Sequence, residues 1–201
     1  MRKRLFAWIY SRFERRERKA LAGFRQRLVG DLEGDVLEIG AGTGANFEHY
    51  PAAARVVATD YSEYMLPRAR EAAAGASATI EVREADAMAL PFEDRSFDAV
   101  VSTLVLCSVP SQQQVLAELH RVLRPGGELR ILEHVRSERR WVAVFQRAVS
   151  PAWGLIGDGC QLHRDTASAV HASEFEVITE ERPDIPGIPL PQLLLTARRA
   201  T

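Results

Sequence analysis

The sequence predicts an α/β fold built on a mostly parallel, doubly wound sheet with helices on both faces. Three observations carry this expectation. Short β-rich runs alternate with helical stretches from residue 34 to 135, the pattern of repeated β-α-β units. The first run, "VLEIGAGTGANF" (36–47), breaks into three glycines ahead of a helical stretch, as nucleotide-binding loops do. The 201 residues, 46% hydrophobic and 26% charged, suit one soluble globular domain with a substantial core.

Each element has its own local reason. "DVLEIG" (35–40) is an apolar run closed by glycine and reads as the first strand, with a short helix expected over 45–50. "ARVVATD" (54–60) is the second strand, and a helix follows through "YSEYMLPRAREAAA" (61–74). "ATIEVREAD" (78–86) alternates in polarity, which predicts a half-exposed third strand. "FDAVVSTLVLCSV" (97–109), rich in β-branched and apolar residues, is the fourth strand, running into a loop at Pro110. The helix "QQQVLAELHRVLR" (112–124) is stopped by Pro125-Gly126-Gly127, and "ELRILEHV" (128–135) is the fifth strand. Residues 141–173 read as mostly helical with a break around 151–159. "EFEVITEE" (174–181) and "QLLLTARR" (192–199), joined by a Pro/Gly-rich link, read as two closing strands.

Charge divides the chain unevenly. The net charge is −1, yet residues 1–30 hold ten Lys/Arg against Glu14 and Glu17 alone. The remainder is therefore strongly acidic, which argues against nucleic acid as a partner. Phe6, Ile9, Phe13, Ala20, Phe24 and Leu28 recur at helical steps between the basic residues. The expected organisation is a basic amphipathic helical segment over 1–30 and a single domain over 31–201. Three readings of that segment stand: a peripheral element on an anionic membrane surface, a lid over a cofactor, or a packed helix with a solvated face. No run approaches the roughly 20 apolar residues of a membrane span. No signal-peptide pattern is present, so the expected compartment is the cytoplasm. Cys107 and Cys160 are the two cysteines; their spacing matches no disulfide framework or zinc motif, and no metal is expected.

The glycine loop taken alone does not choose its ligand. Gly40, Gly42 and Gly44 give G-x-G-x-G, while Gly40, Gly42 and Ala45 also satisfy the G-x-G-x-x-A of dinucleotide folds. Four features decide. Glu38 lies inside the strand where a dinucleotide fold is usually apolar. Asp60 ends the second strand, placed for a ribose diol; NAD enzymes share that acid, so it supports adenosine without choosing. Asp86 ends the third, placed to accept from an adenine amino group. The Pro-Gly-Gly turn precedes the fifth strand, and the two-strand ending is foreign to an ordinary dinucleotide fold.

At these residues the chain resembles the class I S-adenosylmethionine-dependent methyltransferases, with four motifs in order over about residues 34–135. The resemblance implies a Rossmann-like, seven-stranded sheet whose last strand is reversed. It implies S-adenosylmethionine as cofactor and S-adenosylhomocysteine as product. A narrower likeness rests on "GAGTGANFEHYP", "TLVLCSVPSQQQVLAELHRVLRPGG", "EHV" and "SPAWGLIGDGCQLHRDT", which look like the alkyl thiol methyltransferase (methyltransferase-like seven) group, with Ala41 where a cysteine is common there. That likeness implies a small apolar thiol as methyl acceptor. It departs from the group at the N-terminus, where the animal proteins carry a longer apolar anchor, and at the C-terminus.

The expected cofactor residues are Glu38, Gly40, Ala41, Gly42, Gly44, Asn46, Asp60, Tyr61, Met65, Asp86, Ala87, Thr103 and Leu104. A thiol needs little help to ionise, so base catalysis is a light demand. His134, after the fifth strand, and Asp158 and His163, flanking "GDGCQLH", are the catalytic candidates. Cys107 and Cys160 read as core or pocket residues without an activating partner. Two rival functions remain: N-methylation of a phospholipid headgroup or small amine, and a catalytically silent cofactor-binding partner protein.

Overall fold

The computed structural model describes residues 2–156, 159–188 and 190–200, with side chains described for these except 2–15 and 156. A long helix, α1 (Arg2–Val29), leads into β1 (Gly34–Ile39). There follow β2 (Ala54–Asp60), α2 (Leu66–Ala74), β3 (Thr79–Glu84), β4 (Phe97–Thr103), α3 (Gln112–Val122) and β5 (Leu123–His134). The chain closes with α4 (Arg140–Ile156), α5 (Thr166–His171), β6 (Phe175–Glu181) and β7 (Gln192–Arg199).

The seven strands form one sheet in the order β3-β2-β1-β4-β5-β7-β6. β1 pairs in parallel with β2 and β4, β2 with β3, and β4 with β5. Only β7 runs the other way, antiparallel to both β5 and β6. The mostly parallel sheet with a reversed last strand is therefore present as expected. The order reverses between β1 and β4, and ligands of open α/β sheets bind at that switch point, beyond the strands' C-terminal ends.

The core has two sides because successive strand residues point to opposite faces. Val36 on β1 and Ala99 and Val101 on β4 pack with Leu21 and Leu28 of α1 and Ala69 of α2. Leu37, Ile39 and Val100 pack on the other face with Leu116 and Leu119 of α3 and Val170 of α5. The described end of α1 is thus part of the domain's core. Its backbone is held from below as well, since Arg130 of β5 donates to the Leu28 carbonyl at 3.0 Å and pairs with Asp31.

Several boundaries differ from the sequence reading, each for a local reason. β4 stops at Thr103 because Leu104 takes a left-handed backbone, φ +57°, and the chain turns away. Only a 3-10 turn, Phe47–His49, forms where a helix was expected over 45–50. α2 begins at Leu66 rather than 61, with Pro67 pre-set for a first helical turn. Asp86 lies two residues past the end of β3. The Pro-Gly-Gly segment falls inside β5 as a bulge, with Gly126 at φ +77°. α4 continues past Pro151 to Ile156, beyond the start of the expected break. No described helix is long and apolar enough to cross a membrane.

Candidate active site at the switch point

The loop leaving β1 is pinned from several directions. Ala41 N donates to the Thr59 carbonyl at 2.9 Å, tying the loop to β2. Gly42 N donates to Asp60 Oδ2 at 2.8 Å, and Ser62 N donates to Asp60 Oδ1 at 2.8 Å. The carboxylate is thereby held at the C-terminal end of β2, facing the cavity. Gly40 and Gly42 both sit at positive φ, +59° and +58°. A Cβ on Gly42 would meet no protein atom within 4 Å, so the loop leaves room for a close ligand there.

Beneath the loop lies a buried polar network. Glu38 is fully buried and accepts from Asn46 Nδ2 at 2.9 Å and from the Tyr50 hydroxyl at 2.8 Å. Asn46 Nδ2 also donates to Thr103 Oγ1 at 3.0 Å, and Asn46 Oδ1 accepts from Arg25 at 2.7 Å. One asparagine thereby joins α1, β1 and β4. Burial is the dominant influence on Glu38 and pushes its carboxyl up to about 7, against the pull of Tyr50, Arg25 and Asn46. Arg25 Nε is buried with no hydrogen-bond partner among the described residues.

Above the network opens a cavity of about 400 Å³, within the range of small-ligand sites. Of the expected cofactor residues, Glu38, Gly40, Ala41, Gly42, Asp60, Tyr61, Met65, Asp86, Ala87, Thr103 and Leu104 all line it. Gly44 and Asn46 stand behind the lining. Asp86 is exposed and its Oδ1 accepts from Met88 N at 2.9 Å, whereas Asp60 is buried. The residue missed from sequence is Arg25. It sits within the basic segment, and nothing local marks one arginine of eight as the one that turns inward. Val105, Val109 and Pro110 add an apolar wall to the cavity.

Known proteins carry the same features. A family model described as "Methyltransferase domain" matches residues 37–131. The human protein named thiol S-methyltransferase TMT1A is 34% identical over 186 residues, which cover 86% of this chain and 76% of that protein. The chain belongs to the class I S-adenosylmethionine-dependent methyltransferases. A protein of Cereibacter sphaeroides named phosphatidylethanolamine N-methyltransferase is 34% identical, covering 77% of this chain and 75% of its own. The solved S-adenosylmethionine-dependent methyltransferase of Mesorhizobium loti has the same fold, with a TM-score of 0.68 at 22% identity over 90% of this chain and 98% of that one.

The residues present fit this family's cofactor, S-adenosylmethionine. Its ribose diol suits the Asp60 carboxylate at the end of β2, and its adenine amino group suits the exposed Asp86 carboxylate, both on the cavity wall. Its methionine end carries an ammonium and a carboxylate; Glu38 and Arg25, one acid and one base, line the cavity together. The unpartnered Arg25 Nε is a buried donor of the kind a carboxylate satisfies.

The catalytic candidates are placed differently. His134 ends β5 and His163 follows α4, where its Nδ1 lies 3.0 Å from Ser150 Oγ; neither lines the cavity. Asp158 lies outside the described residues. His134 instead joins both cysteines. Its Nε2 is 3.0 Å from Cys160 Sγ, and Trp153 Nε1 donates to the same sulfur at 3.3 Å. Cys160, expected to lack an activating partner, therefore has two. Hydrogen bonding from Cys107, then from His134 and Trp153, lowers the Cys160 thiol, while burial raises Cys107. Spacing in the sequence could not reveal this cluster, because its members are 26 or more residues apart and meet only where β4, β5 and α4 end.

Proposed function

We propose that this protein transfers the methyl group of S-adenosylmethionine to the sulfur of a small apolar thiol. The observation that carries the reading is the likeness to a thiol S-methyltransferase across 86% of the chain. The cavity agrees with it, since Val105, Val109 and Pro110 offer an apolar wall beside Leu104 at the end of β4. When bound, the sulfonium supplies a methyl group already activated for displacement. The chain's own task is to align the acceptor and exclude water. Glu38 and Arg25 would hold the charged methionine end, with Asp60 and Asp86 fixing the adenosine. His134, Asp158 and His163 are the candidates for taking the acceptor's proton, and α1, through Arg25, is the wall or lid over the methionine end.

The test is release of S-adenosylhomocysteine with and without a small alkyl thiol across pH 6–9. Release that depends on the thiol and climbs with its thiolate fraction supports the reading. Cofactor binding without thiol-dependent release would remove it. The second reading, methylation of a phospholipid amine, has one relative's name behind it, that of Cereibacter sphaeroides, and is the weaker of the two. A vesicle containing phosphatidylethanolamine in place of the thiol separates the two.

We also propose that this enzyme works at a cytoplasmic membrane surface, touching it through α4. Phe6, Trp8, Ile9 and Phe13, the residues of the N-terminal segment that would enter a membrane surface, have side chains outside those described. Trp141, Val144, Phe145 and Leu155 of α4 are exposed, at 72%, 69%, 64% and 65%. The exposed Arg139, Arg140 and Arg147 flank them, a pairing that suits anionic lipid.

A further inference from the structure

Cys107, His134 and Cys160 come from the loop after β4, the end of β5 and the segment after α4. Their ligand atoms, two sulfurs and one imidazole nitrogen, all lie within 4.8 Å of one another. All three side chains are buried. Bonds of roughly 2.0–2.3 Å to a tetrahedral ion place sulfur and nitrogen ligands roughly 3.5–3.8 Å apart. The present spacing, 3.0 Å between His134 Nε2 and Cys160 Sγ, reaches that value with small side-chain rotations.

The surroundings bear on the charge such a site would hold. Glu133, fully buried beside the cluster, accepts from the backbone amides of Cys107 and His134, each at 3.2 Å. His134 and Arg164 act electrostatically on Glu133, and no direct carboxylate–guanidinium contact to it is found among the described residues. The half-buried Arg164 is spent on the carbonyls of Leu106 and Pro110. A buried carboxylate next to two thiols is a costly arrangement unless positive charge joins it. Two soft thiolates and an imidazole are a donor set suited to zinc.

We propose that Cys107, His134 and Cys160 form a three-ligand site for a thiophilic divalent cation of the zinc class, with its fourth position taken by water or an incoming sulfur. The site stands directly behind the wall of the cofactor cavity. Ser108 lines that cavity, and its Oγ is 3.4 Å from Cys107 Sγ. A Cβ on Gly159, next to Cys160, would come within 3.2 Å of the Ser108 carbonyl, so the two segments are in contact. The cation would hold an acceptor thiol as its thiolate, as bound metals do for weakly acidic ligands, the S–H proton leaving on the water or hydroxide that the sulfur displaces from the fourth position. This second half rests on the thiol reading above; the metal site itself does not. His134 would then serve as a ligand in place of a free base.

The experiment is elemental analysis of the dialysed full-length protein, followed by replacement with cobalt(II) and its visible spectrum. Expected are a single zinc-class ion per chain and cobalt bands typical of a tetrahedral thiolate site. Both should be lost in Cys107→Ser and Cys160→Ser, while calorimetry still detects S-adenosylmethionine binding in at least the milder of the two. A wild type that binds S-adenosylmethionine but holds no metal and gives no cobalt bands overturns the site. So does a Cys107–Cys160 disulfide found by mass spectrometry in freshly purified protein. Adding a small alkyl thiol should shift the cobalt bands. Unshifted bands in a protein that does methylate the thiol overturn the acceptor half alone. A metal-loaded protein without thiol-dependent turnover leaves the site standing and removes the thiol reading.

Discussion

Arg25 of α1 donates a 2.7 Å hydrogen bond to the side-chain carbonyl of Asn46, whose amide in turn donates to Glu38. The N-terminal helix is thereby coupled to the carboxylate beneath the glycine loop. Removing the guanidinium leaves a buried amide oxygen without its donor and a buried carboxylate without its nearest positive charge. Arg25→Met, which keeps the aliphatic bulk, should lower stability by about 1–3 kcal/mol through the unmatched groups. It should weaken S-adenosylmethionine by about tenfold, the value of one charged hydrogen bond. Thermal melting and calorimetry check both. Unchanged cofactor affinity would make Arg25 a purely structural residue.

Glu38 gives a pH dependence with a definite sign. Its carboxyl sits at about 7 in the fold against an ordinary 4.5, chiefly because burial disfavours the charge. A raised carboxyl stabilises the fold fully below pH 4.5, and that contribution is lost as pH rises through about 7. Across this window Glu38 costs about 3 kcal/mol of stability, which Glu38→Gln should not lose. Denaturant titrations of both proteins at several pH values measure the difference. Parallel pH profiles for the two proteins would refute the assignment. Cofactor affinity should move the other way, because the ammonium of the methionine end favours ionised Glu38. In the wild type affinity should rise with pH up to about 7, and in Glu38→Gln it should be weaker and flat.

Asp60 and Asp86 should separate binding from folding. Replacing either with Ala removes an acceptor for the adenosine and should weaken S-adenosylmethionine by about tenfold or more. Only Asp60 also holds two backbone amides, those of Gly42 and Ser62. Asp60→Ala should therefore lower the melting temperature as well, by the equivalent of roughly 1–3 kcal/mol. Asp86 is exposed, so its loss should leave melting nearly unchanged. Equal melting for the two variants would contradict this division.

The exposed face of α4 predicts lipid dependence. Trp141→Ser together with Phe145→Ser removes the two most exposed aromatic side chains of the helix. Sedimentation with anionic vesicles should fall several-fold, while turnover of a soluble thiol stays near wild type. High salt should weaken the wild type's binding too, because Arg139, Arg140 and Arg147 contribute through screened charge. Vesicle binding equal to wild type in the double variant would remove α4 from the membrane reading.

The sheet and most of the residues lining the cavity were legible in the sequence because they rest on local signals. Strand alternation, the glycine loop and the strand-end acids Asp60 and Asp86 each announce themselves within a few residues. What escaped was non-local. Arg25 is one arginine among many until the helix docks and buries it. Cys107, His134 and Cys160 lie at unremarkable spacings and become a cluster only because parallel strands bring their C-terminal ends to one edge. Strand ends were over-read where a single residue changes direction, as Leu104 does at φ +57°. Apolar content alone carried the fourth strand on to Val109.

The three glycines of the loop do different work, and alanine substitutions should tell them apart. Gly44 has φ +78°, and a Cβ there would meet the Phe47 ring at 2.5 Å and Ala72 Cβ at 2.9 Å. Phe47 is buried in the core, so neither neighbour can move aside freely. Gly40 is similar, with Val105 Cγ2 at 2.4 Å from its added Cβ. Gly42 shares the left-handed backbone, φ +58°, but its Cβ would point into open space on the cavity side. Backbone strain of about 1–2 kcal/mol applies to all three. Overpacking adds about 1–3 kcal/mol more at Gly40 and Gly44 alone. Gly44→Ala and Gly40→Ala should therefore melt well below Gly42→Ala. Gly42→Ala should instead lose cofactor affinity out of proportion to its stability, since the methyl group occupies space the ligand needs. Near-normal S-adenosylmethionine binding by Gly42→Ala, measured by calorimetry on folded protein, would mean that the cofactor does not approach the loop at this residue.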